Sequence, residues 1–320
     1  GVRGANGAIA ITTKKAKAGQ LMVNFSTSFG VKRVQDRIKL TNGPEFKMLY
    51  DEQMANMSSS FNDQYFKANT DWQKEIFQNA FLNYNNISIT GATEKNRFYL
   101  GLGYINEEGL IKHEEYKKYT INFSDELRVS KALKFGFVFN GYYADLPVER
   151  QVASAIRAAP IAPVYDPNGS GLLHTMPAFQ RAQLFNPLVA IEEGKFTAIR
   201  KEYRAVGSIY GEVDFLKDFT FRAQLFADYG FNTTRSYNPI VVVYNPEIVG
   251  PNKRDSSNRQ TSVAQSQDIY PKTQMDYLLT YKKKIGDHDL TVLGGVTTYF
   301  SGFEATNSSV QQGTADVIPN

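Results

Sequence analysis

The sequence has no cysteine among its 320 residues and almost no excess of charge of either sign. The lack of cysteine excludes disulfide scaffolds, cysteine-ligated zinc and thiol catalysis. Lys and Arg number 36 and Asp and Glu number 32, so the net charge of +4 is too small to indicate binding to nucleic acid. No stretch approaches about 18 uninterrupted apolar residues, so the sequence predicts no membrane-spanning helix.

Aromatic residues, in contrast, are abundant. Phe occurs 22 times and Tyr 19 times, and aromatic residues make up 13% of the chain. Soluble enzymes of this length seldom carry so many, whereas membrane β-barrels concentrate aromatic side chains in girdles at both membrane surfaces. The composition therefore favours a β-barrel over a soluble enzyme.

Apolar and polar residues alternate with a period of two along nine segments of the chain. This alternation is typical of β-strands with one apolar and one polar face. In the clearest segment, 219–231, the apolar set includes Phe219, Phe221, Leu225 and Phe231, and the polar set includes Arg222, Gln224 and Asp228. The other segments lie near 21–31, 83–92, 97–104, 119–129, 133–139, 203–215, 272–284 and 288–303.

The connections between these segments are short and long in turn. Short links are expected at 93–96, 130–132, 217–218 and 286–287, and long ones at about 32–82, 106–116, 145–200 and 233–270. Short periplasmic turns that alternate with long outer loops are typical of outer-membrane barrels. A soluble β-sandwich is the alternative, but its strands usually have only about 5–6 residues.

The predicted fold class is therefore all-β, as part of a large transmembrane antiparallel β-barrel with about nine strands in this chain. Bacterial single-chain barrels have an even number of strands, so we expect further strands and interpret the chain as an internal fragment. Short turns belong on the periplasmic side, and the region before Leu21 belongs there as well.

The first residues of the sequence predict a glycine-rich turn followed by a short apolar strand. Gly1, Arg3, Gly4, Asn6 and Gly7 are expected to form the turn, and the apolar strand is expected at 8–13, where the Thr-Thr-Lys-Lys sequence of residues 12–15 begins. A phosphate-binding loop is the alternative, but the glycine spacing fits neither known phosphate-loop pattern. The segment resembles the end of the plug domain in the SusC/RagA family of TonB-dependent transporters of Bacteroidota. Residues 40–46 and 70–72 look like family elements of the first outer loop.

The resemblance implies a domain organisation and a function. Residues 1–19 would be the end of the plug domain and its link, and residues 20–320 the first part of the barrel. The implied function is TonB-dependent import of a glycan oligomer or peptide across the outer membrane, without chemistry on the substrate. The implied partners are TonB, a SusD-like surface lipoprotein as a lid, and outer-membrane lipid. A siderophore or cobalamin receptor without a lid, and a barrel hydrolase, are the alternatives.

No catalytic or metal-binding constellation stands out, so we expect neither enzymatic activity nor a cofactor. His113, His174 and His288 lack metal-ligand spacing and are expected to be exposed residues of loops or turns. Residues 166–171 begin like a calcium loop, but Pro177 stands where the closing glutamate belongs, so a turn is the better interpretation. The candidate substrate contacts are Phe179, Arg181 and Phe185, in the loop at 145–200.

The first long loop carries two patterns of helical spacing. Pro44 is placed to begin one helix, whose apolar residues continue to Met57. Thr70 and Gln73 are spaced as a capping box for a second helix that would extend to Phe81. Both helices are expected to pack on the rim of the barrel.

Overall fold

A computed structural model describes residue 19 and residues 21–148, 152–192, 198–256 and 260–313. Its main feature is one antiparallel sheet of ten strands. These strands are β1 (Leu21–Lys32), β2 (Ala80–Ala92), β3 (Asn96–Glu108), β4 (Glu115–Arg128), β5 (Leu133–Asp145), β6 (Ile199–Phe215), β7 (Phe219–Asn238), β10 (Gln260–Ile285), β11 (His288–Ser301) and β12 (Glu304–Gly313). Two short strands, β8 (Val242–Tyr244) and β9 (Arg254–Ser256), form a separate ladder.

Strands β11 and β12 lie end to end along the same edge of β10 and continue one register. The break between them falls at Gly302 and Phe303, opposite Pro271 and Tyr270. Pro271 has no N–H to donate, so the ladder keeps only the bond from the Gly302 N–H to the Pro271 carbonyl, at 2.8 Å. The sheet therefore has nine successive positions, which confirms the number of strands predicted from the sequence.

The short links are tight turns at the positions predicted for them. At one of them the Thr93 hydroxyl accepts hydrogen bonds from the backbone N–H of Lys95 and of Asn96. Leu216 and Lys217 adopt positive φ values of 47° and 62°, as a tight hairpin turn requires. These turns fix the pairing register of the strands that they join.

The long connections join the strands at the ends opposite the short turns. One of these connections is much shorter than predicted. β7 continues to Asn238 and β10 begins at Gln260, so the loop predicted at 233–270 is reduced to residues 239–259. The extensions pair with each other and are polar on both faces, from Thr233 to Asn238 and from Gln260 to Gln267. Both faces of these ends carry polar groups, so the sequence shows no apolar alternation there.

The described parts of the loops contain five short helices: α1 (Gly43–Asn56), α2 (Trp72–Ile76), α3 (Val152–Arg157), α4 (Ala178–Arg181) and α5 (Pro187–Glu192). Asn42 and Glu45 form a capping box at the start of α1, which confirms the first predicted helix. The second predicted helix is present, but its cap and its end were predicted wrongly. Asp71 caps it, it ends at Ile76, and the residues from Ala80 onwards belong to β2.

The sequence reading failed there because both residues of the expected capping box bond elsewhere. The Thr70 hydroxyl donates to the Ala162 carbonyl, and the Gln73 side chain bonds both backbone groups of Ile38. Within the described part of the chain, no helix is long and apolar enough to cross a membrane.

The buried hydrophobic core lies in the loops and not in the sheet. We call the described parts of the connections 33–79, 109–114, 146–192 and 239–256 the loop cluster. Trp72 joins two of these connections, since its indole N–H donates to the Ala159 carbonyl at 3.0 Å. The main buried residues of this core are Phe66, Trp72, Ile76, Ile161, Leu173, Met176, Leu188 and Val243.

Candidate functional site on the polar face and in the loop cluster

The two faces of the sheet have opposite chemistry. On β7, Phe221 and Leu225 point to one face, and Arg222, Gln224 and Asp228 point to the other. Because paired residues share a face, the pairing extends this division to the neighbouring strands. We call the two sides the apolar face and the polar face. The structure confirms the predicted separation of these residues along β7.

Aromatic residues form a belt near each end of the apolar face. The belt beside the loop cluster contains Tyr104, Tyr119, Tyr143, Tyr203 and Phe231, whose successive ring centroids lie 4.9 to 6.1 Å apart. The opposite belt contains Phe215, Phe219 and Tyr281.

The distance between the belts matches the thickness of a bilayer. Phe219 and Phe231 both lie on β7, one in each belt. Twelve residues span about 40 Å along a strand. At a tilt of roughly 45°, this becomes about 28 Å along the membrane normal, close to the ~30 Å hydrocarbon core of a bilayer.

One acidic residue departs from this division of the faces. Asp125 lies on the apolar face, paired with Phe98 and Phe137. One of its carboxylate oxygens is buried and has no hydrogen-bond partner among the described residues.

The apolar face also carries a groove of about 750 Å³, lined mainly by aromatic and aliphatic side chains such as Leu102 and Tyr229.

Charged residues of the polar face are joined in networks that cross several strands. Near the short turns, Glu212 pairs with Lys134 at 2.7 Å and lies 3.6 Å from Arg222. The Arg222 guanidinium stacks on the Tyr210 ring at 3.8 Å, and the Tyr210 hydroxyl donates to Glu126 at 3.0 Å. A solvated surface tolerates such charges, but hydrocarbon does not.

A second charged cluster lies nearer the loop cluster. Arg204 donates two hydrogen bonds to Asp228, at 2.8 and 2.6 Å. Asp228 is buried, whereas 43% of the Arg204 side chain is exposed. Beside this pair is a cavity of about 260 Å³, which Lys272 and Tyr270 help to line.

The sequence analysis missed this pair, although a signal for it exists. The short turn after β6 sets Phe215 opposite Phe219, and counting back along both strands places Arg204 opposite Gly230. Asp228 is then the diagonal neighbour of Arg204.

The three predicted substrate residues lie in the loop cluster, and their contact with substrate stays a prediction. Phe179 packs against the rings of Tyr50 and Phe61, at 4.4 and 5.2 Å between centroids, and is therefore a packing residue. Arg181 pairs with Glu247 at 2.7 Å, and 46% of Phe185 is exposed. These contacts give Phe179 and Arg181 roles within the loop cluster itself.

The prediction that the three histidines are exposed holds for His113 and His288 but is wrong for His174. His174 is 1% exposed and lies between the rings of Phe66 and Tyr244. Burial lowers the pKa of His174, so the neutral form is favoured. Its Nδ1 donates to the Thr175 carbonyl at 2.7 Å.

Residues 166–171 form a turn, as the sequence analysis favoured. Asp166 accepts hydrogen bonds from both the backbone and the side chain of Asn168. Burial acts to raise the pKa of Asp166, but hydrogen bonds from Asn168 and Ser170 outweigh it and hold the pKa below its usual value.

The plug-like residues Gly1, Arg3, Gly4, Asn6 and Gly7 lie outside the described residues.

Comparison with known proteins identifies relatives of this chain. TonB-dependent receptor P3 of Formosa agariphila is 23% identical over 313 residues, which cover 92% of this chain and 28% of the receptor. TonB-dependent receptor SusC of Bacteroides thetaiotaomicron is 29% identical over 178 residues, which cover 52% of this chain and 17% of SusC. No family model matches the chain.

Solved structures show the same fold. A chain of the RagAB peptide importer in its closed-closed state superposes with a TM-score of 0.72 at 18% identity, over 95% of this chain and 37% of that chain. The open-open state gives a TM-score of 0.69. The chain thus spans about a third or less of the length of these proteins. The resemblance found in the sequence is confirmed: the chain is similar in sequence to TonB-dependent receptors that include SusC, and its sheet has the fold of part of the RagAB barrel.

Proposed function

We propose that this chain forms part of an outer-membrane transporter that imports a bulky nutrient, a glycan oligomer or a peptide, with energy delivered through TonB. The observation that carries the proposal is the two-faced wall. Its apolar face has belts at bilayer spacing, and its polar face has charge networks that need water. The relatives support the same function by name, since they are TonB-dependent receptors and a peptide importer.

The polar face would line the lumen, and the loop cluster would stand on the outer surface of the cell. The transported molecule would therefore meet the loop cluster first and the polar face afterwards. Neither region requires chemistry on the substrate, because binding and release are sufficient for import.

We further infer that a SusD-like surface lipoprotein covers the loop cluster. Helix α1 supports this inference because it presents apolar side chains to solvent: Met48 is 63% exposed and Leu49 is 52% exposed. Such residues on a folded outer surface are typical of an interface. We also propose that residues 1–19 are the end of a plug domain and its link, and that residues 20–320 belong to the barrel.

Uptake by cells that carry the full-length protein tests the proposal. Labelled neutral oligosaccharides and peptides should enter wild-type cells, and uptake should stop after deletion of TonB or addition of a protonophore. Affinity purification in mild detergent should recover a surface lipoprotein with the barrel. Uptake that persists without TonB would contradict the proposed energy source, and repeated recovery of the barrel alone would contradict the lid.

A further inference from the structure

One of the residues that line the cavity beside Arg204 has no side chain. Gly230 lies on the polar face of β7, paired with Arg204 on one side and Tyr270 on the other. Gly230 does not have positive φ, and a Cβ atom there would meet its nearest neighbour, Tyr270 Cδ2, at 3.5 Å. The backbone therefore does not require glycine at this position. The missing side chain leaves space at the border of this cavity, whose volume is about 260 Å³.

The charges that border this space are balanced. Arg204 and Lys272 contribute two positive charges, and Asp228 and Glu202 contribute two negative charges. Arg204 uses two N–H groups on Asp228. A guanidinium has five N–H donors, so Arg204 retains donors for a further acceptor.

Aromatic rings stand beside these charged groups. Tyr142 and Tyr270 both line the cavity. The Tyr270 ring packs against the Phe303 ring, with 5.2 Å between centroids, and Phe303 is 62% exposed. Tyrosine combines a large apolar surface with a polar hydroxyl. The cavity therefore offers ring surfaces next to hydrogen-bonding groups.

We propose that this cavity is a binding site for one uncharged sugar ring of a transported oligosaccharide, so the inference rests on the proposed function. The volume equals that of about eight or nine water molecules, at ~30 Å³ each, which suits a single ring. A sugar ring has C–H groups on its faces and hydroxyl groups at its edge, which match the tyrosine rings and the polar groups. The balanced charges favour a neutral ligand, because a ligand of either net charge would meet an equal number of like charges.

The test fills the cavity in the full-length protein. Gly230→Leu places a side chain in the open space without removing any charged group. Gly294→Leu is the matched control, because Gly294 is also a strand glycine with free space, in the row of the apolar face that contains Leu279. Unboiled gel migration of the purified barrels should show that both variants are folded.

Binding is measured by calorimetry with maltohexaose, cellohexaose and laminarihexaose as neutral probes. A hexagalacturonate and an octapeptide serve as charged probes. We expect at least one neutral probe to bind, and Gly230→Leu to weaken that binding by tenfold or more, while Gly294→Leu changes it less than twofold. If Gly230→Leu fails to fold, Tyr270→Ala should show the same selective loss.

Three results would overturn the inference. They are binding of no neutral probe, equal binding by wild type and Gly230→Leu, and a loss confined to the hexagalacturonate or the octapeptide. None of these results touches the proposed function, which is decided separately by TonB-dependent uptake. If one of these results is found while uptake remains TonB-dependent, the inference about the sugar site fails and the proposed transport function stands.

Discussion

Phe221 and Leu225, in the barrel wall, leave 37% and 39% of their surfaces exposed, whereas Phe66 and Leu188, in the loop cluster, leave 1% and 2%. The wall is held together by continuous backbone ladders, and its apolar side chains stay partly exposed, so that lipid would cover them in the proposed barrel. The loop cluster buries its apolar residues against one another, as a soluble domain does. The two regions should therefore respond differently to the same kind of mutation.

The largest expected effect is the loss of an aromatic residue in the loop cluster. Trp72→Ala removes a buried side chain and its hydrogen bond to Ala159, so we expect the cluster to lose about 3–5 kcal/mol of stability. Leu225→Ala in the wall should lower local stability by no more than about 1 kcal/mol, because lipid fills the vacated space. Hydrogen exchange in nanodiscs measures both effects. Equal loss of protection in the two regions would contradict the comparison.

A smaller effect is expected from the ion pair on the polar face. Arg204→Leu leaves the buried Asp228 without its partner, and we expect a loss of about 1–3 kcal/mol after discounting for the exposure of Arg204. The double variant Arg204→Leu/Asp228→Leu should recover most of this loss. Urea unfolding from liposomes measures it. A double variant no more stable than Arg204→Leu would show that the loss has another cause.

The loop cluster should also weaken in acid. The pKa of His174 is lowered in the folded protein, so its stabilising contribution is complete above the unfolded value of about 6.5 and is lost as pH falls through the folded pKa. Limited proteolysis should therefore cut the loops faster at pH 5 than at pH 7.5. His174→Gln should flatten this dependence, whereas His288→Gln, at an exposed position, should not. An unchanged pH dependence of proteolysis in His174→Gln would show that His174 does not cause the loss of stability in acid.

The smallest expected effect concerns the acidic residue on the apolar face. Asp125→Leu removes a carboxylate with a buried, unpaired oxygen from a surface that lipid would cover, and should stabilise the barrel by about 1 kcal/mol. Asp228→Leu alone should destabilise it, because Asp228 is paired with Arg204. The midpoints of urea unfolding measure the stability of both variants relative to the wild type. Destabilisation by Asp125→Leu would mean that Asp125 has an essential partner.

The sequence predicted the wall well because a strand between lipid and water must alternate. All nine predicted strands are present, and the short turns lie where expected. The ends of β7 and β10 were missed because both of their faces are polar, as from Thr233 to Asn238. Alternation of apolar and polar residues therefore indicates a strand only where its two faces meet different environments, and it does not detect a strand that is polar on both faces.

The loop cluster was harder to predict, since its contacts join distant parts of the chain. Thr70 bonds Ala162 rather than capping α2, and His174 is buried by Phe66 and Tyr244 from two other connections. Local spacing carries no information about such partners. The contact between Arg204 and Asp228 on the polar face is easier to predict than the loop contacts, because a short turn fixes the register of the two strands that carry the pair.

The central claim is that one face of the wall meets lipid and the other meets water. The chain contains no cysteine, so single cysteines can be introduced at the adjacent positions Gln224 and Leu225 of the full-length protein and spin-labelled. Any native cysteine elsewhere in the full-length protein is replaced first. Power-saturation spectroscopy in native outer membranes then compares access to oxygen, which dissolves in lipid, with access to a water-soluble nickel chelate. The account predicts that the label at Leu225 relaxes with oxygen and the label at Gln224 with nickel. The reverse pattern, or equal access at both positions, would contradict it.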